Sequence, residues 1–383
     1  MVQLSRPGWR TAAITASLLA GLAAVPAAPA LAEGDRATAA KPKVVASGLE
    51  NPRHLDWDDG ALYVAEAGVG GSGPCIAAPE NPAAKSCYGA SGAITRVRHG
   101  HQKRGVKGLP SLAEASGEAA IGPSDLRVDG SRFKVVLGLG ADPAVRKGWP
   151  RNAQKLGTVS KGTLGRAGSQ VVADIAGYEA KANPDRKQID SNPVGLLRIR
   201  GRDVLVDAGG NSLLKVGRDA RIKQLATFPT IDVDAPPFLE LPPGAKIPMD
   251  AVPTAAVQGR DGSIYVSQLT GFPFPPDAAS IFRIARDGRK TQYATGLTNV
   301  TDMSVAKDGS IYAVQLTDEG LLGEGTGSVV RIPAGGGAKH TTVVDDLQAP
   351  YGVMLRWGSL YVSTHATSPD NGQVIKVPLH GKD

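Results

Sequence analysis

A hairpin pattern that recurs six times constrains the fold of this chain more than any other feature. Each copy consists of an apolar strand, a tight turn built on glycine and a second strand that often ends in a Tyr-Val-like pair. The six copies span residues 55–64, 126–135, 196–206, 257–266, 305–313 and 353–362. Asp-Gly turns between alternating strands are the strongest short-range hairpin signal, because such turns need positive φ angles. The sequence therefore predicts six hairpins built on one plan.

Two further strand-like runs follow a hairpin and give each unit four strands. After the fourth hairpin, for example, these runs are 280–284 and 290–294. Repeats of about 50 to 60 residues with four strands each are typical of β-propellers. The 48 Gly and 28 Pro residues, about a fifth of the 383-residue chain, fit many tight turns and disfavour a helical bundle. We therefore predict an all-β fold, a six-bladed β-propeller with four-stranded blades.

The two ends of the repeat region complement each other. The last hairpin is followed by a third strand, 373–377, before the sequence ends. Residues 43–49 resemble the outer strands 291–297 and 342–347. We therefore predict that strand 43–49 completes the last blade, so that 43–383 forms a single propeller domain with protected edges. The alternative is that residues 44–49 form a frayed tail.

The first residues have the order of a secretory signal peptide. Arg6 and Arg10 precede an apolar stretch, 11–25, and the small-residue site ends at Ala32. We predict a signal peptide over 1–32 with cleavage after Ala32, a flexible segment over 33–42, and secretion to the extracellular space. The apolar stretch is shorter than the roughly 20 residues of a membrane span, so no membrane span is predicted.

The two cysteines, Cys75 and Cys87, lie in one Gly- and Pro-rich stretch. In an oxidising compartment, two nearby thiols most simply form a disulfide that staples a loop, which stabilises the fold by about 3 kcal/mol. A redox pair or a metal site calls for Cys-x-x-Cys spacing or further Cys and His residues nearby, and the sequence has neither. The sequence therefore predicts a Cys75–Cys87 disulfide.

The connections between strands differ sharply in length on the two faces of the predicted disc. We number the strands of a blade first to fourth from the channel outward. Connections from second to third strand and from blade to blade then share one face, here called the loop-rich face. The long segments fall almost entirely on that face, at about 68–91, 110–122, 141–155, 177–192, 229–252, 270–279 and 317–327. Such loops on a rigid scaffold usually carry binding or catalysis, although here they could simply cap the channel.

Polar residues gather where first strands begin and second strands end, which is the mouth of the predicted channel on the loop-rich face. These channel-mouth candidates are Asn51, His54, Glu66, Asp125, Asp190, Asn192, Asp207, Asn211, Gln268, Asn299, Asp302, Gln315 and His365. Converging carboxylate and amide oxygens suit a calcium ion, which takes six to eight oxygen ligands. The alternative is that these residues cap strand ends and turns, as Asn, Asp and Thr ordinarily do.

Catalytic motifs are scarce in this sequence. His54 and His365 are the histidines that the register sends to the mouth, and a histidine beside Glu66 could act as an acid or base near neutral pH. The alternative is a hydrogen-bonded histidine that lines a polar channel. The sequence has no Gly-x-Ser-x-Gly elbow, phosphate-binding loop, His-Glu-x-x-His or Rossmann glycine pattern. Common hydrolase, kinase and zinc-protease chemistries are therefore not indicated.

Charge and aromatic residues narrow the choice of partner. The formal net charge is +7, but the basic residues are spread over all blades without aromatic interleaving, so no nucleic-acid partner is predicted. The Pro-aromatic segments 235–239 and 271–276 would suit an apolar ligand or a protein partner, or would pack on each other as a lid. We expect a monomer whose partner is a small molecule or an extracellular protein.

The first blade carries a family resemblance. It reads Val-Ala-Glu-Ala-Gly-Val-Gly-Gly over 64–71 and continues from Cys87 through 88–97 as Tyr-Gly-Ala-Ser-Gly-Ala-Ile-Thr-Arg-Val. With the signal-like N-terminus and the six hairpins, the chain after residue 32 resembles the ScyD/ScyE family along essentially its whole length. The hairpins alone are similar to NHL-like or TolB-like propellers. Residues 136–140 of the second blade depart from the pattern, because they lack the Tyr-Val pair.

That resemblance implies an exported bacterial six-bladed propeller, of a family named for genes in the cyanobacterial cluster that makes the pigment scytonemin. It implies no known reaction and no catalytic residues. Our first functional hypothesis is therefore an extracellular binding or scaffold protein that uses the loop-rich face and needs no cofactor.

The second functional hypothesis is a metal-assisted hydrolase that needs Ca²⁺. It rests on a resemblance to calcium-dependent, lactonase-type six-bladed propellers, which place carboxylate and Asn ligands at the channel mouth. By that resemblance the metal ligands would be Asn51, Glu66, Asn192 and Asn299, with Asp207 or Asp302 as the base.

Overall fold

The computed structural model describes residues 41–78, 84–166 and 168–379, and these residues form a six-bladed β-propeller. This confirms the predicted fold class. The predicted signal peptide, 1–32, lies outside the described residues, as does most of the segment 33–42. No helix in the described part of the chain is long and apolar enough to cross a membrane.

The first three blades follow one another along the chain, after a separate first strand. That first strand is β1 (Lys43–Leu49), and blade 1 contains β2 (Pro52–Asp58), β3 (Ala61–Glu66), the short accessory strand β4 (Cys75–Ala77), β5 (Lys85–Arg98) and β6 (His101–Ala113). Blade 2 contains β7 (Pro123–Asp129), β8 (Arg132–Leu137), β9 (Thr158–Thr163) and β10 (Gln170–Asp174). Blade 3 contains β11 (Pro193–Ile199), β12 (Arg202–Asp207), β13 (Ser212–Val216) and β14 (Ile222–Thr227).

The remaining three blades follow a two-stranded ribbon made of β15 (Ile231–Asp234) and β16 (Lys246–Met249). Blade 4 contains β17 (Pro253–Gln258), β18 (Ile264–Gln268), β19 (Ala279–Ile284) and β20 (Lys290–Leu297). Blade 5 contains β21 (Val300–Val305), β22 (Ile311–Gln315), β23 (Gly327–Ile332) and β24 (Thr341–Leu347). Blade 6 contains β25 (Val353–Arg356), β26 (Ser359–Thr364) and β27 (Gly372–Pro378).

Strand β1 supplies the fourth strand of blade 6. It pairs antiparallel with β27, with Val44 opposite Ile375 and Ala46 opposite Val374. Leu49 is fully buried and Ala46 nearly so. The predicted closure by the N-terminal strand is therefore confirmed, and the alternative of a frayed tail is wrong.

Hydrophobic layers between neighbouring blades hold the propeller together. Between blades 1 and 2, for example, Ile94 of β5 packs in one cluster with Leu126 of β7 and Phe133 of β8. Side chains alternate between the two faces of a strand, so each blade presents one apolar face to the blade before it and one to the blade after it. The six first strands contact one another in turn and line the channel.

The long connections contain more regular structure than the sequence predicted. Strands β5 and β6 extend into the expected loops 68–91 and 110–122, and the Cys75–Cys87 disulfide is confirmed at a paired position of β4 and β5. The connection after blade 2 contains helix α1 (Ile175–Ala182), whose first turn is capped by the Asp174 carboxylate accepting from the Gly177 N–H. Short 3-10 helices occupy Pro143–Arg146, Ala153–Lys155 and Pro237–Leu239.

Candidate functional site

The mouth of the channel on the loop-rich face holds a cavity of about 240 Å³. Its wall is built from the starts of first strands, the residues after second strands and the connecting segments. The starts of first strands contribute Arg53, Ser124, Val194, Thr254 and Tyr351. The residues after second strands include Ala208, Leu269 and Leu316, and the connecting segments contribute Ile121, Val252 and Leu321. Aliphatic side chains form much of this wall, and Arg53, Glu114 and Glu118 bring charge to it.

Arg53 is fixed in the cavity wall by backbone acceptors. Its Nη1 and Nη2 each donate a 2.6 Å hydrogen bond, to the carbonyl oxygens of Ala366 and Ala120. The guanidinium also lies 4.6 Å from the centre of the Tyr351 ring, within range of a cation–π interaction. Because Ala120 belongs to the segment after blade 1 and Ala366 to blade 6, Arg53 ties two parts of the rim together and makes the cavity preformed.

His54, Asp125 and Asp302 form a charged layer across the channel beneath this cavity, which we call the His54 layer. The Nδ1 of His54 lies 3.5 Å from Asp125 Oδ2, and its Nε2 lies 3.9 Å from Asp302 Oδ1 and 3.2 Å from the Thr301 carbonyl oxygen. Blade 1 supplies the histidine, blade 2 supplies Asp125, and blade 5 supplies Asp302 and Thr301. The imidazole therefore bridges blades across the channel, with only 3% of its surface exposed.

The electrostatics make His54 a cation at neutral pH. Burial alone would lower its pKa, but the carboxylates of Asp302 and Asp125 outweigh burial and raise the pKa to about 9. Burial opposes ionisation of Asp125, yet Arg127 and His54 hold its pKa below the usual value. Burial raises the pKa of Asp302 in spite of the nearby His54. A protonated histidine between two acids is a poor general base, so this layer is better suited to hold blades together.

A second cavity, of about 290 Å³, lies on the other side of the His54 layer. His54 and Asp125 line it, whereas the residues just before them on the same strands, Arg53 and Ser124, line the mouth cavity. The layer of His54, Asp125 and Asp302 therefore divides the channel into two compartments.

The aspartates of the first strands act as connectors between blades. Asp56 Oδ2 accepts a 2.6 Å hydrogen bond from the Val128 N–H of the next blade, and Asp125 Oδ2 accepts one of the same length from the Leu196 N–H. In blade 5, Asp302 Oδ2 accepts a 2.8 Å bond from the Val353 N–H. These carboxylates satisfy backbone donors that face the channel, a structural role that the predicted register did not reveal.

Glu66, the carboxylate of the predicted calcium site, already has a cationic partner. It is fully buried, and its Oε2 accepts from Arg104 Nη2 at 2.7 Å and from the Glu50 N–H at 2.9 Å. Its Oε1 accepts from Arg104 Nε and from the Thr95 hydroxyl. His54 has Asp125 and Asp302 as its acidic partners, so the predicted acid–base role for a histidine beside Glu66 has no support in these contacts.

The three asparagines of the predicted calcium site serve the backbone of the loops. Asn51 donates to the carbonyl oxygens of Gly68 and Gly117, both at 2.8 Å. Asn192 Oδ1 accepts from the Leu139 N–H at 3.2 Å, and Asn299 donates to the Leu269 carbonyl at 2.7 Å. Within the described ranges, no three His, Cys, Asp or Glu side chains converge as ligands of a metal. Because Glu66 is paired with a guanidinium, these four residues do not fit a calcium ion.

The remaining channel-mouth candidates also cap turns and strand ends. Asp207 accepts from the Ser191 hydroxyl at 2.8 Å and from the Asn192 N–H at 2.7 Å, and Asn211 donates to Asp185. Gln315 donates to Asp318 at 2.7 Å, Gln268 ends β18 with 8% exposure, and His365 Nδ1 lies 3.4 Å from the Thr364 hydroxyl. Asp190 is partly buried on the connection after α1.

Glu179 is a buried acid that the sequence reasoning missed. It lies on α1 and is fully buried, and neither carboxylate oxygen has a hydrogen-bond partner in the described residues. Burial, together with Asp207, Asp185 and Asp190, raises its pKa to about 8. The sequence predicts a loop over 177–192, and no motif marks Glu179. The Asp174 cap before a short apolar run was the available signal for a helix there.

The Pro-aromatic segments form an exposed cluster beside the mouth. Phe238 is 61% exposed and Phe272 is 40% exposed, with their ring centres 6.1 Å apart in an edge-on arrangement. Phe274 contacts Phe272 in the same manner at 6.2 Å. The rings therefore pack on one another and still present apolar surface to solvent.

Comparisons with known proteins address the fold alone. No family model matches the chain, and no curated protein matches it. A structural-genomics protein of unknown function from Bacteroides thetaiotaomicron matches with a TM-score of 0.50 at 9% identity, covering 88% of this chain and 72% of that one. A luciferin-regenerating enzyme matches with a TM-score of 0.50 at 10% identity, covering 88% and 95%. The calcium-binding protein regucalcin from Agrobacterium tumefaciens has a TM-score of 0.47 at 10% identity, covering 89% and 98%.

Proposed function

We propose that this protein is a secreted binding protein that takes a small, mainly apolar ligand in the cavity at the mouth of its channel. The observation that carries the proposal is the 240 Å³ cavity itself, with aliphatic walls and a rim fixed by Arg53. Ligand pockets are usually preformed, largely apolar and supplied with a few placed polar groups. Arg53, Glu114 and Glu118 provide such polarity here, whereas the Ser124 and Thr254 hydroxyls donate to the carbonyl oxygens of Val194 and Val300.

Secretion is supported by two features. The N-terminal sequence has the order of a signal peptide with cleavage after Ala32. The Cys75–Cys87 disulfide is of a kind that persists in oxidising compartments and is rare in the cytosol.

The binding hypothesis is favoured over the hydrolase hypothesis by the contacts of the proposed catalytic groups. Glu66 is held by Arg104, so it is a poor ligand for a second cation. Asp302, one of the two suggested bases, accepts from the Val353 N–H and faces the protonated His54. Asp207, the other, accepts from Ser191 and Asn192. We therefore assign no catalytic step to these residues.

Two adjacent leucines allow a matched test of the binding site. Leu321 lines the cavity, whereas Leu322 does not line it and is 55% exposed. Thermal unfolding would be followed with neutral ring compounds such as phenol, indole and δ-valerolactone, because a ligand of the folded state raises the melting temperature. We expect Leu321→Asp to abolish the shift given by any binding compound and Leu322→Asp to retain it.

The same experiment contains the results that would refute the proposal. An equal shift in both variants would place the ligand elsewhere, and its loss in Phe238→Ser would move the site to the exposed aromatic cluster. Hydrolysis of δ-valerolactone by the wild type, lost on removal of calcium, would favour the hydrolase hypothesis instead.

A further inference from the structure

The buried carboxylate of Glu179 has no hydrogen-bond donor or cation beside it among the described residues. The side chain is fully buried in the loop-rich face between α1 and blade 3, and both carboxylate oxygens lack hydrogen-bond and ion-pair partners among the described residues. An ionised carboxylate without partners is very costly to bury, so a counter-charge or a proton must accompany it.

A second carboxylate, that of Asp207, lies close to Glu179 beside Gly210. A Cβ atom added to Gly210 would lie 2.6 Å from Glu179 Oε2 and 3.3 Å from Asp207 Oδ2. Because Gly210 has no side chain, both carboxylates pack closely against it and lie near each other. Asp190 adds a third acid nearby, and its buried Oδ1 also has no partner in the described part of the chain.

The surrounding charges are predominantly negative. The acids Asp207, Asp185 and Asp190 all lie close enough to act on Glu179. The nearby cation Lys187 is engaged with Asp250, at 2.6 Å. Asp185 receives a hydrogen bond from Asn211, which brings no charge. None of the ion pairs among the described residues involves Glu179, Asp207 or Asp190, so these acids have no cationic partner there.

We propose that a hard divalent cation such as Ca²⁺ binds between the Glu179 and Asp207 carboxylates, beside Gly210. Hard cations favour carboxylate oxygens and complete their shells with carbonyl oxygens and water, so two carboxylates suffice for the charge. This site is distinct from the calcium site suggested by the sequence, since it lies behind the wall of the mouth cavity. By holding α1 to the end of β12, the cation would brace the wall formed by the adjacent Asn192 and Ala208.

The test is calcium binding by the full chain, with metal first removed by chelation. Isothermal titration with Ca²⁺ and with Mg²⁺ would be combined with thermal unfolding and metal analysis by mass spectrometry. We expect about one Ca²⁺ per chain and a higher melting temperature. Glu179→Gln keeps the shape of the side chain and should abolish both effects, whereas Glu324→Gln, at an exposed loop position, should keep both.

A second variant tests the proposed cation site without changing the charge of its residues. Gly210 does not have a positive φ, so Gly210→Ala causes no backbone strain. Its methyl group would lie 2.6 Å from Glu179 Oε2 and displace that carboxylate, so this variant should also abolish calcium binding. The proposal is refuted if the wild type binds no divalent cation. A higher metal-free stability of Glu179→Gln would then show that the pair shares a proton. Calcium binding that survives in both Glu179→Gln and Gly210→Ala would refute it as well.

Discussion

At the scale of single residues, the sequence located polar groups well and assigned their roles poorly. Asp125 and Asp302 do lie at the channel, but both accept backbone N–H groups from the following blade. His54 faces these two acids, and Glu66 faces Arg104. The strand register read from the sequence gives the position of a residue along its strand, and so its depth in the channel. It does not give the partner of that residue, because the partner comes from another strand of the same blade or from another blade, 38 to 248 positions away.

The charged His54 layer should make stability depend on pH. The folded-state pKa of about 9 exceeds the ordinary value of 6.5, so the stabilisation is complete below about pH 6.5 and is lost as the pH rises through 9. This difference corresponds to about 3 kcal/mol. Urea unfolding at pH 6 and pH 9.5 should show a larger loss of stability for wild type than for His54→Gln.

The exposed His101 provides the matched control for His54. We expect His101→Gln to keep the wild-type dependence on pH. Equal slopes for His54→Gln and wild type would mean that the His54 layer does not carry the effect.

At the scale of strands, the hairpins were predictable and the long connections were not. Each hairpin combines alternating apolar residues with a glycine turn, and β2 and β3 meet at a turn in which Asp59 and Gly60 both have positive φ. The extension of β5 and its pairing with β4 carry no such alternation, and the segment between β3 and β4 crosses β5 at glycines. A Cβ on Gly89 would lie 1.8 Å from the Gly70 carbonyl oxygen, so the backbones touch there.

Gly89 should therefore be intolerant of a side chain. Gly89→Ala places a methyl group against backbone that cannot swing away, and we expect a loss of about 2 kcal/mol or more in the free energy of unfolding. Gly105→Ala, also in blade 1, is the control, since its nearest contact would be 3.9 Å away. Similar unfolding midpoints for the two variants in urea would contradict the close crossing.

At the scale of the whole molecule, the ring and its closure followed from repetition, whereas the cavity did not. Residues 43–49 resemble outer strands, and this likeness predicted the pairing of β1 with β27. The wall of the mouth cavity draws residues from connections of unrelated sequence, such as Ile121, Val252 and Leu321. No repeat pattern specifies how those connections fold. The sequence therefore indicated the loop-rich face as the place of a site but did not predict the cavity there.

Closure of the ring by β1 should be essential for stability. A chain that begins at Gly48 lacks most of β1 and exposes the edge of β27, together with apolar surface that Ala46 covers. We expect it to melt at least 10 °C lower than a chain that begins at Lys41 and to associate in size-exclusion chromatography. Equal melting temperatures for the two chains would contradict closure by this strand.

The most direct test of the central claim is to locate a bound ligand by crystallography. Crystals of the protein would be soaked separately in phenol, indole and δ-valerolactone, and difference density would be compared between the mouth cavity and the aromatic cluster of Phe238 and Phe272. We expect density in the cavity beside Val194, Thr254 and Tyr351 for at least one compound. Density confined to the aromatic cluster or the outer surface, with only water in the cavity, would contradict the claim that the channel mouth is a ligand site.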